Sequence, residues 1–123
     1  MSSLIRKPLA STNLKRPPDG FVGRDSEAAA LAAWWATGGR FATLLGPAGA
    51  GKTSLARRFA WDHRLEVTGG AWFCDLSRAR TAADVAVVVA GARGLHFGAD
   101  ADVVEAVGEA LAGGGPTLLV LDN

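Results

Sequence analysis

The chain has 123 residues, of which 49% are hydrophobic and 20% are charged, and its net charge is +1. This length gives room for one small domain, and the apolar share is sufficient for a packed core. A single cysteine excludes an intrachain disulfide and fits a reducing compartment. No stretch has the length or apolar character of a membrane span or a secretion signal, so we expect a cytoplasmic protein without membrane partners.

The first 20 residues predict an extended, basic lead-in to a domain that covers residues 21–123. Residues 1–24 hold five basic residues and one acidic residue, a net +4. Three prolines stand among polar residues there, without helical or strand periodicity. A basic tail could touch nucleic acid, but a solvated linker is the favoured interpretation. We therefore expect no direct nucleic-acid binding.

A helix is predicted next, capped by Asp25 or Ser26 and ended by the glycine pair at 38 and 39. Its apolar residues recur at helical spacing, and they include two adjacent tryptophans, Trp34 and Trp35. The tryptophans are interpreted as anchors of this helix to the core, and an exposed aromatic binding surface is the alternative.

A glycine-rich segment then matches the phosphate-binding pattern G-x-x-x-x-G-K-[ST] at every fixed position. Residues 41–45 before it form a short apolar run that predicts a buried parallel strand, and residues 53–60 after it predict a helix. Strand, glycine loop and helix in this order are the setting in which the pattern binds phosphate. The segment consists of Gly46, Pro47, Ala48, Gly49, Ala50, Gly51, Lys52 and Thr53, with Ser54 next in the helix.

The chemistry of this segment is anion binding at the start of a helix. The first helical turn has unpaired N–H donors and about half a positive charge. Glycines allow successive amides to point inward around a phosphate. Lys52 would add a positive charge near the outer phosphates, and the Thr53 hydroxyl would bind Mg²⁺. The alternative is an ordinary glycine turn, which would need neither the lysine nor the hydroxyl.

The rest of the chain alternates helical and strand patterns. Residues 71–76 and 116–121 are apolar runs that predict buried strands, and Cys74 is expected to be a buried hydrophobe in the first of them. Residues 81–93 are rich in valine, yet Thr81 and Asp84 form a capping box that favours a helix. A further helix is predicted over residues 101–112. The pattern indicates an α/β domain with a parallel sheet and helices on both faces.

Asp122 follows four apolar residues at the tip of the last predicted strand. The carboxyl ends of parallel strands form the ligand-binding edge of such sheets, and the glycine segment lies at the same edge. A carboxylate at this place holds Mg²⁺ in P-loop proteins. The alternative role for Asp122 is a cap of the strand end.

Four blocks of sequence together resemble the bacterial NB-ARC/AAA-type ATPases of the STAND class, many of which are LuxR- or AfsR-type transcriptional regulators. The blocks are Phe21-Val22-Gly23-Arg24 with Glu27, the run from Thr43 to Thr53, the run from Ala71 to Leu76, and the run from Leu118 to Asn123. The resemblance implies a three-layer P-loop NTPase core that binds ATP or ADP with Mg²⁺ and acts as a nucleotide-dependent switch.

The resemblance also implies roles for individual residues. Val22, Gly23 and Arg24 would contact the adenine and ribose, although the residues alone suggest only a turn before a capped helix. The segment from Gly46 to Ser54 would hold the phosphates, with Thr53 and Asp122 on Mg²⁺. Lys52 and Asp122 would be the catalytic residues. Asn123 stands where many related ATPases carry a catalytic acid, and it can orient a water but cannot accept its proton.

The chain lacks two features that members of this family have. Family members continue for hundreds of residues, and a strand with a polar sensor normally separates the phosphate-loop strand from the aspartate strand. We therefore expect an incomplete sheet, a fragment of a longer protein, in which the strands ending at Leu45 and Asp122 pair directly or leave backbone groups open. Contacts with other protein domains or self-association would require the missing C-terminal parts.

Two other functions stay open at this point. A P-loop small-molecule kinase would use the same loop, but the Val22-Gly23-Arg24 block argues against it. A truncated remnant that binds nucleotide weakly, or not at all, is the second alternative.

Overall fold

The computed structural model of the chain describes residues 12–17, 25–45 and 51–123. These ranges form a mixed α/β domain with four helices and a small parallel sheet, which confirms the predicted fold class at this level. The elements are α1 (Asp25–Ala36), α2 (Lys52–His63), β1 (Ala71–Asp75), α3 (Ala82–Arg93), α4 (Val103–Gly113) and β2 (Leu118–Asp122), with a short 3-10 helix at Arg64–Glu66 after α2.

The two strands lie parallel and in register, from Ala71 opposite Leu118 to Asp75 opposite Asp122. Parallel neighbours cannot be joined by a tight hairpin, and the chain makes the required crossover through α3 and α4. The ladder is extended at both ends, because the Leu118 N–H donates to the Gly70 carbonyl and the Leu76 N–H donates to the Asp122 carbonyl.

Helices cover both faces of this sheet. Successive side chains of a strand point to opposite faces, and β1 shows this directly, with Ala71 and Phe73 toward α2 and Trp72 and Cys74 toward α3. The core accordingly has two parts. The cluster on the α2 side is built on Ala60, Val67 and Ala71, and the cluster on the α3 and α4 side is built on Cys74, Ala86, Val89, Ala90 and Val107.

The valine-rich stretch forms a helix, α3, as its capping residues predict. The Thr81 hydroxyl accepts the Asp84 N–H at 3.1 Å, and the Asp84 carboxylate accepts the Thr81 N–H. Gly94 ends the helix with φ of 73°, a left-handed conformation that favours glycine. Local capping and one buried face therefore outweigh the strand preference of the valines.

The expected strand at residues 41–45 is not present, which corrects the sequence prediction. These residues have no regular structure, and Phe41 and Leu45 are 83% and 86% exposed. The strand that ends at Asp122 pairs with β1. It does not pair with residues 41–45, which was one of the two arrangements expected from sequence. A single strand gains little without a neighbour for its backbone groups, and among the described residues no strand lies beside 41–45.

Helix α1 ends at Ala36, before the predicted glycine pair, and is held by an aromatic cluster at the end of α2. The rings of Trp35 and Phe59 meet edge to face at 5.6 Å, and the His63 ring lies 4.4 Å from that of Phe59. The Glu66 carboxylate accepts the Trp35 indole N–H at 3.1 Å and bonds His63 Nδ1 at 2.7 Å. Two residues with no role predicted from sequence, His63 and Glu66, thus join α1 to α2.

None of the four helices in the described ranges is both long enough and apolar enough to cross a membrane.

Candidate functional site

The first turn of α2 carries the described part of the phosphate-binding pattern. Gly51 precedes the helix with φ of 84°, a conformation in which a residue with a side chain would be strained. Its carbonyl accepts the Leu55 N–H at 2.9 Å, which starts the helical hydrogen-bond pattern. Lys52 and Thr53 are half-buried at this end, and Ser54 is exposed. Because the residue before the helix is a glycine, no side chain of that residue caps the first N–H groups of α2.

Thr53 meets Asp122 across the end of the sheet. The Thr53 hydroxyl lies 3.2 Å from each carboxylate oxygen of Asp122, although the two residues are 69 positions apart in the chain. Both side chains are partly buried. The contact arises because α2 packs on the sheet with its first turn at the carboxyl end of β2. The structure thus brings together the two residues that the sequence assigns to a magnesium ion.

Asn123 links Asp122 to the end of the neighbouring strand. Its side-chain amide donates to Asp75 Oδ1 at 3.3 Å and to Asp122 Oδ2 at 3.4 Å. Asp75 and Asp122 are partners in register, so two carboxylates stand side by side at this edge. Like charges placed directly opposite each other on neighbouring strands are destabilising. The Asn123 amide offsets part of that repulsion, and its φ of 70° is a conformation that asparagine tolerates better than most residues.

Asp75 is also held by the turn that follows β1. The Ser77 N–H donates to Asp75 Oδ1 at 2.9 Å. Hydrogen bonds from the Ser77 backbone, from the Ser77 side chain and from Asn123 favour the charged form and lower the pKa of Asp75 below its ordinary value. Asp75 is therefore an ionised neighbour of Asp122 at neutral pH.

The donor types at this edge match those that Mg²⁺ takes in proteins. Mg²⁺ is bound through one or two carboxylates together with substrate phosphates and water, while hydroxyl and carboxylate oxygens are its preferred ligands. Thr53 and Asp122 supply those two oxygen types within 3.2 Å of each other. Among the residues that the structure describes, no group of three or more histidine, cysteine or acidic side chains forms an all-protein metal site.

The remaining predicted site residues lie outside the described ranges. These are Val22, Gly23 and Arg24 of the base-contacting block, and Gly46, Pro47, Ala48, Gly49 and Ala50 of the phosphate loop.

Two residues of interest were not assigned a role from sequence. Asp75 could have been found, because it is the one polar residue near the carboxyl end of the strand predicted over residues 71–76, at the same sheet edge as Asp122. Asn13 could not, because its partner is Phe73, 60 positions away, and a lone asparagine in a polar, proline-rich stretch gives no signal.

Comparison with protein-family models, with curated proteins and with solved structures finds no match to this chain.

Proposed function

We propose that this chain binds a nucleoside triphosphate or diphosphate together with Mg²⁺, and that it is the nucleotide-binding part of a STAND-class, NB-ARC/AAA-type ATPase switch. The observation that carries the proposal is the contact of Thr53 with Asp122 at the carboxyl end of a parallel sheet. A turn that merely connected a strand to a helix would not require a hydroxyl and a carboxylate to meet there.

The roles of the residues follow from their chemistry. A bound Mg²⁺ neutralises phosphate charge and fixes the phosphate oxygens in space. The Thr53 hydroxyl and the Asp122 carboxylate are the groups that would hold it, directly or through water. The first-turn amides of α2 and the Lys52 ammonium would bind the phosphates themselves. Val22, Gly23 and Arg24 would contact the base and ribose, as the family resemblance implies.

Nucleotide binding is the role proposed for this chain, and hydrolysis is a separate step. Asn123 can orient a water but cannot take its proton, and no carboxylate of the described residues other than Asp75 and Asp122 bonds within this edge. ATP hydrolysis, with Lys52 and Asp122 as catalytic residues, is therefore proposed for the longer proteins that the chain resembles. In these proteins the γ-phosphate would bias a switch in signalling or transcriptional regulation.

The test is calorimetric titration of the purified chain with ATP and with ADP, each with and without Mg²⁺. Lys52→Ala should abolish ATP binding at micromolar nucleotide, because it removes the positive charge that would bind the outer phosphates. Asp122→Asn should remove the gain in affinity that Mg²⁺ gives while leaving Mg²⁺-free binding in place. Asp100→Asn, at an exposed turn, and Lys15→Ala are the matched controls. Retention of full ATP affinity by Lys52→Ala would defeat the assignment.

One observation favours the alternative of a remnant that binds nucleotide weakly or not at all. The segment that leads into the phosphate loop, residues 41–45, is exposed at all positions but Leu44 and lies outside the sheet. A leading segment that is not paired in the sheet loses conformational freedom when a ligand fixes it, and this loss weakens binding. A parent chain that melts cooperatively by circular dichroism but shows no heat of ATP binding would establish this alternative.

A further inference from the structure

A run of hydrogen bonds joins the ends of the two strands at the candidate site. Asp75 Oδ1 accepts the Ser77 N–H at 2.9 Å and the Asn123 side-chain amide at 3.3 Å. The same amide lies 3.4 Å from Asp122 Oδ2, and both oxygens of Asp122 lie 3.2 Å from the Thr53 hydroxyl. The Asp122 carboxylate is therefore contacted from two elements, by Thr53 of α2 and, through Asn123, by Asp75 of β1. We call Asp75 and Asn123 the strand-end bridge.

The backbone of Asn123 is what allows this bridge to form. In a continuing strand, the side chains of neighbouring residues point to opposite faces, so residues 122 and 123 would diverge. Asn123 instead has φ of 70°, and it is the one residue other than glycine with a positive φ in the part of the chain that the structure describes. Asparagine adopts this left-handed conformation at lower cost than most residues. The turn brings its amide back to the carboxylate of Asp122.

The other end of the bridge is fixed by the sheet and by a backbone amide. Asp75 and Asp122 are partners in register, and the Leu76 N–H donates to the Asp122 carbonyl. The spacing of the two strand ends is therefore set by backbone hydrogen bonds. The Ser77 N–H, in the turn that follows β1, holds the Asp75 oxygen that accepts from Asn123. The bridge thus transmits a backbone position to the side chain of Asp122.

Orientation matters for a carboxylate that binds a cation. An unrestrained carboxylate at the end of a strand would rotate about its side-chain bonds and lose that freedom when a ligand fixes it. Groups that hydrogen-bond to a metal ligand fix its orientation in advance, and their loss typically lowers metal affinity by about 10–100-fold. Asp122 is partly buried, whereas Asp75 and Asn123 are exposed and can be substituted without opening the core.

We infer that Asp75 is a positioning residue for the proposed magnesium ligand: through Asn123 it holds the Asp122 carboxylate in the orientation that faces Thr53. This inference rests on the proposed function. A different role for Asp75 would be to attract the cation by its negative charge alone. The two roles have different requirements, because positioning needs an oxygen that accepts from Asn123 and Ser77, and attraction needs the charge.

The test measures how much Mg²⁺ strengthens ATP binding, by calorimetric titration of the full chain with ATP in Mg²⁺ and in EDTA. Asp75→Ala removes the acceptor and should lower this gain about tenfold, while ATP affinity in EDTA changes by less than about twofold. Asp75→Asn removes the charge but keeps an oxygen acceptor, so it should keep the gain within about threefold of the parent value. Asp100→Ala, at an exposed turn, is the control for loss of a carboxylate and should keep the parent gain.

Asn123→Gly tests the bridge from its other end. Glycine adopts the left-handed backbone without strain and has no amide to donate. This variant should lower the Mg²⁺ gain as Asp75→Ala does, and it leaves β1 unaltered. A reading without any ligand comes from hydrogen exchange at the Ser77 amide. Exchange should speed up in Asp75→Ala and stay near the parent rate in Asp75→Asn and Asn123→Gly, with each variant retaining the parent circular dichroism spectrum.

The outcomes separate the positioning role from the proposed function. Equal losses of the Mg²⁺ gain in Asp75→Ala and Asp75→Asn would assign the effect to charge and overturn the positioning role. A parent gain in Asn123→Gly would do the same, and Ser77 exchange at the parent rate in Asp75→Ala would overturn the bridge. In these cases the parent chain still binds ATP with Mg²⁺. A parent chain that binds no ATP, or binds it equally with and without Mg²⁺, would refute the proposed function, and the positioning role with it.

Discussion

Two apolar stretches of similar composition adopt different structures in this molecule. Residues 118–121 form most of β2, paired with β1 and packed between helices, whereas residues 41–45 have no regular structure and expose Phe41 and Leu45. Both stretches predict a buried strand on sequence alone. The difference lies in what the rest of the chain supplies, because β2 has a neighbour in register and residues 41–45 have none among the described residues. Strand formation depends on a partner as much as on the apolar run itself.

The largest loss of stability should come from a substitution in the packed core on the α3 and α4 side of the sheet. Val89→Ala, at a position 4% exposed in the cluster around Cys74, should lower the free energy of unfolding by about 2 kcal/mol, through lost burial and the cavity left behind. Urea denaturation followed by circular dichroism measures it. Val87→Ala on the same helix, 57% exposed, is the control and should change stability by less than about 0.5 kcal/mol. Equal effects of the two substitutions would mean that α3 does not pack as described.

A smaller effect is expected at the start of α3. Thr81→Ala removes the hydroxyl that accepts the Asp84 N–H, and loss of such a cap costs about 1 kcal/mol. Thr81→Ser keeps the acceptor and should recover most of the stability. If Thr81→Ala were as stable as the parent in the same urea titration, the capping box would not be what makes this valine-rich stretch a helix.

The exposed stretch gives the complementary test. Leu45→Ser should change the free energy of unfolding by less than about 0.5 kcal/mol, since the side chain is 86% exposed and has little burial to lose. A loss of more than about 1 kcal/mol would show that residues 41–45 are packed in solution, and the contrast with β2 would then disappear.

The smallest effect on stability should come from the contact between Trp35 of α1 and Glu66, and this effect depends on pH. Hydrogen bonds from Trp35 and then from His63 lower the pKa of Glu66 below its ordinary value of 4.5. Because the folded form holds this proton less tightly than the unfolded chain, the contribution of Glu66 is present above pH 4.5 and is lost as the pH falls through the lowered pKa. Tryptophan fluorescence should therefore change in that acidic range.

Glu66→Gln should remove this fluorescence transition, because the amide does not titrate. Glu109→Gln, on the exposed side of α4, is the control and should keep it. A transition of parent size in Glu66→Gln would assign the acidic change to other carboxyl groups.

What the sequence predicts well is what short-range chemistry decides. The helix α3 is specified by Thr81 and Asp84, which lie three residues apart, and β1 and β2 by apolar runs that find each other across a helical crossover. The missing strand at residues 41–45 depends on neighbours that no local pattern shows. The contact of Asn13 with Phe73 depends on how a polar segment folds back over 60 residues.

For the candidate site, the sequence predicts which residue types are present, and the fold determines how close their side chains come. Thr53 and Asp122 could be expected near each other, because a helix that follows the first strand of such a unit begins at the edge where later strands end. Their separation of 3.2 Å and the bridge from Asn123 to Asp75 could not be anticipated, since they depend on side-chain placement at the strand ends.

The buried thiol of Cys74 can report how often β1 separates from the helices that pack on it. This cysteine is 1% exposed, and burial raises the pKa of its thiol to about 11. Only about one thiol in a thousand would be ionised at pH 8, and an alkylating reagent needs the exposed thiolate. With no second cysteine in the sequence, the mass increase of the intact protein would count separations of β1 from α3 and α4 without an introduced label.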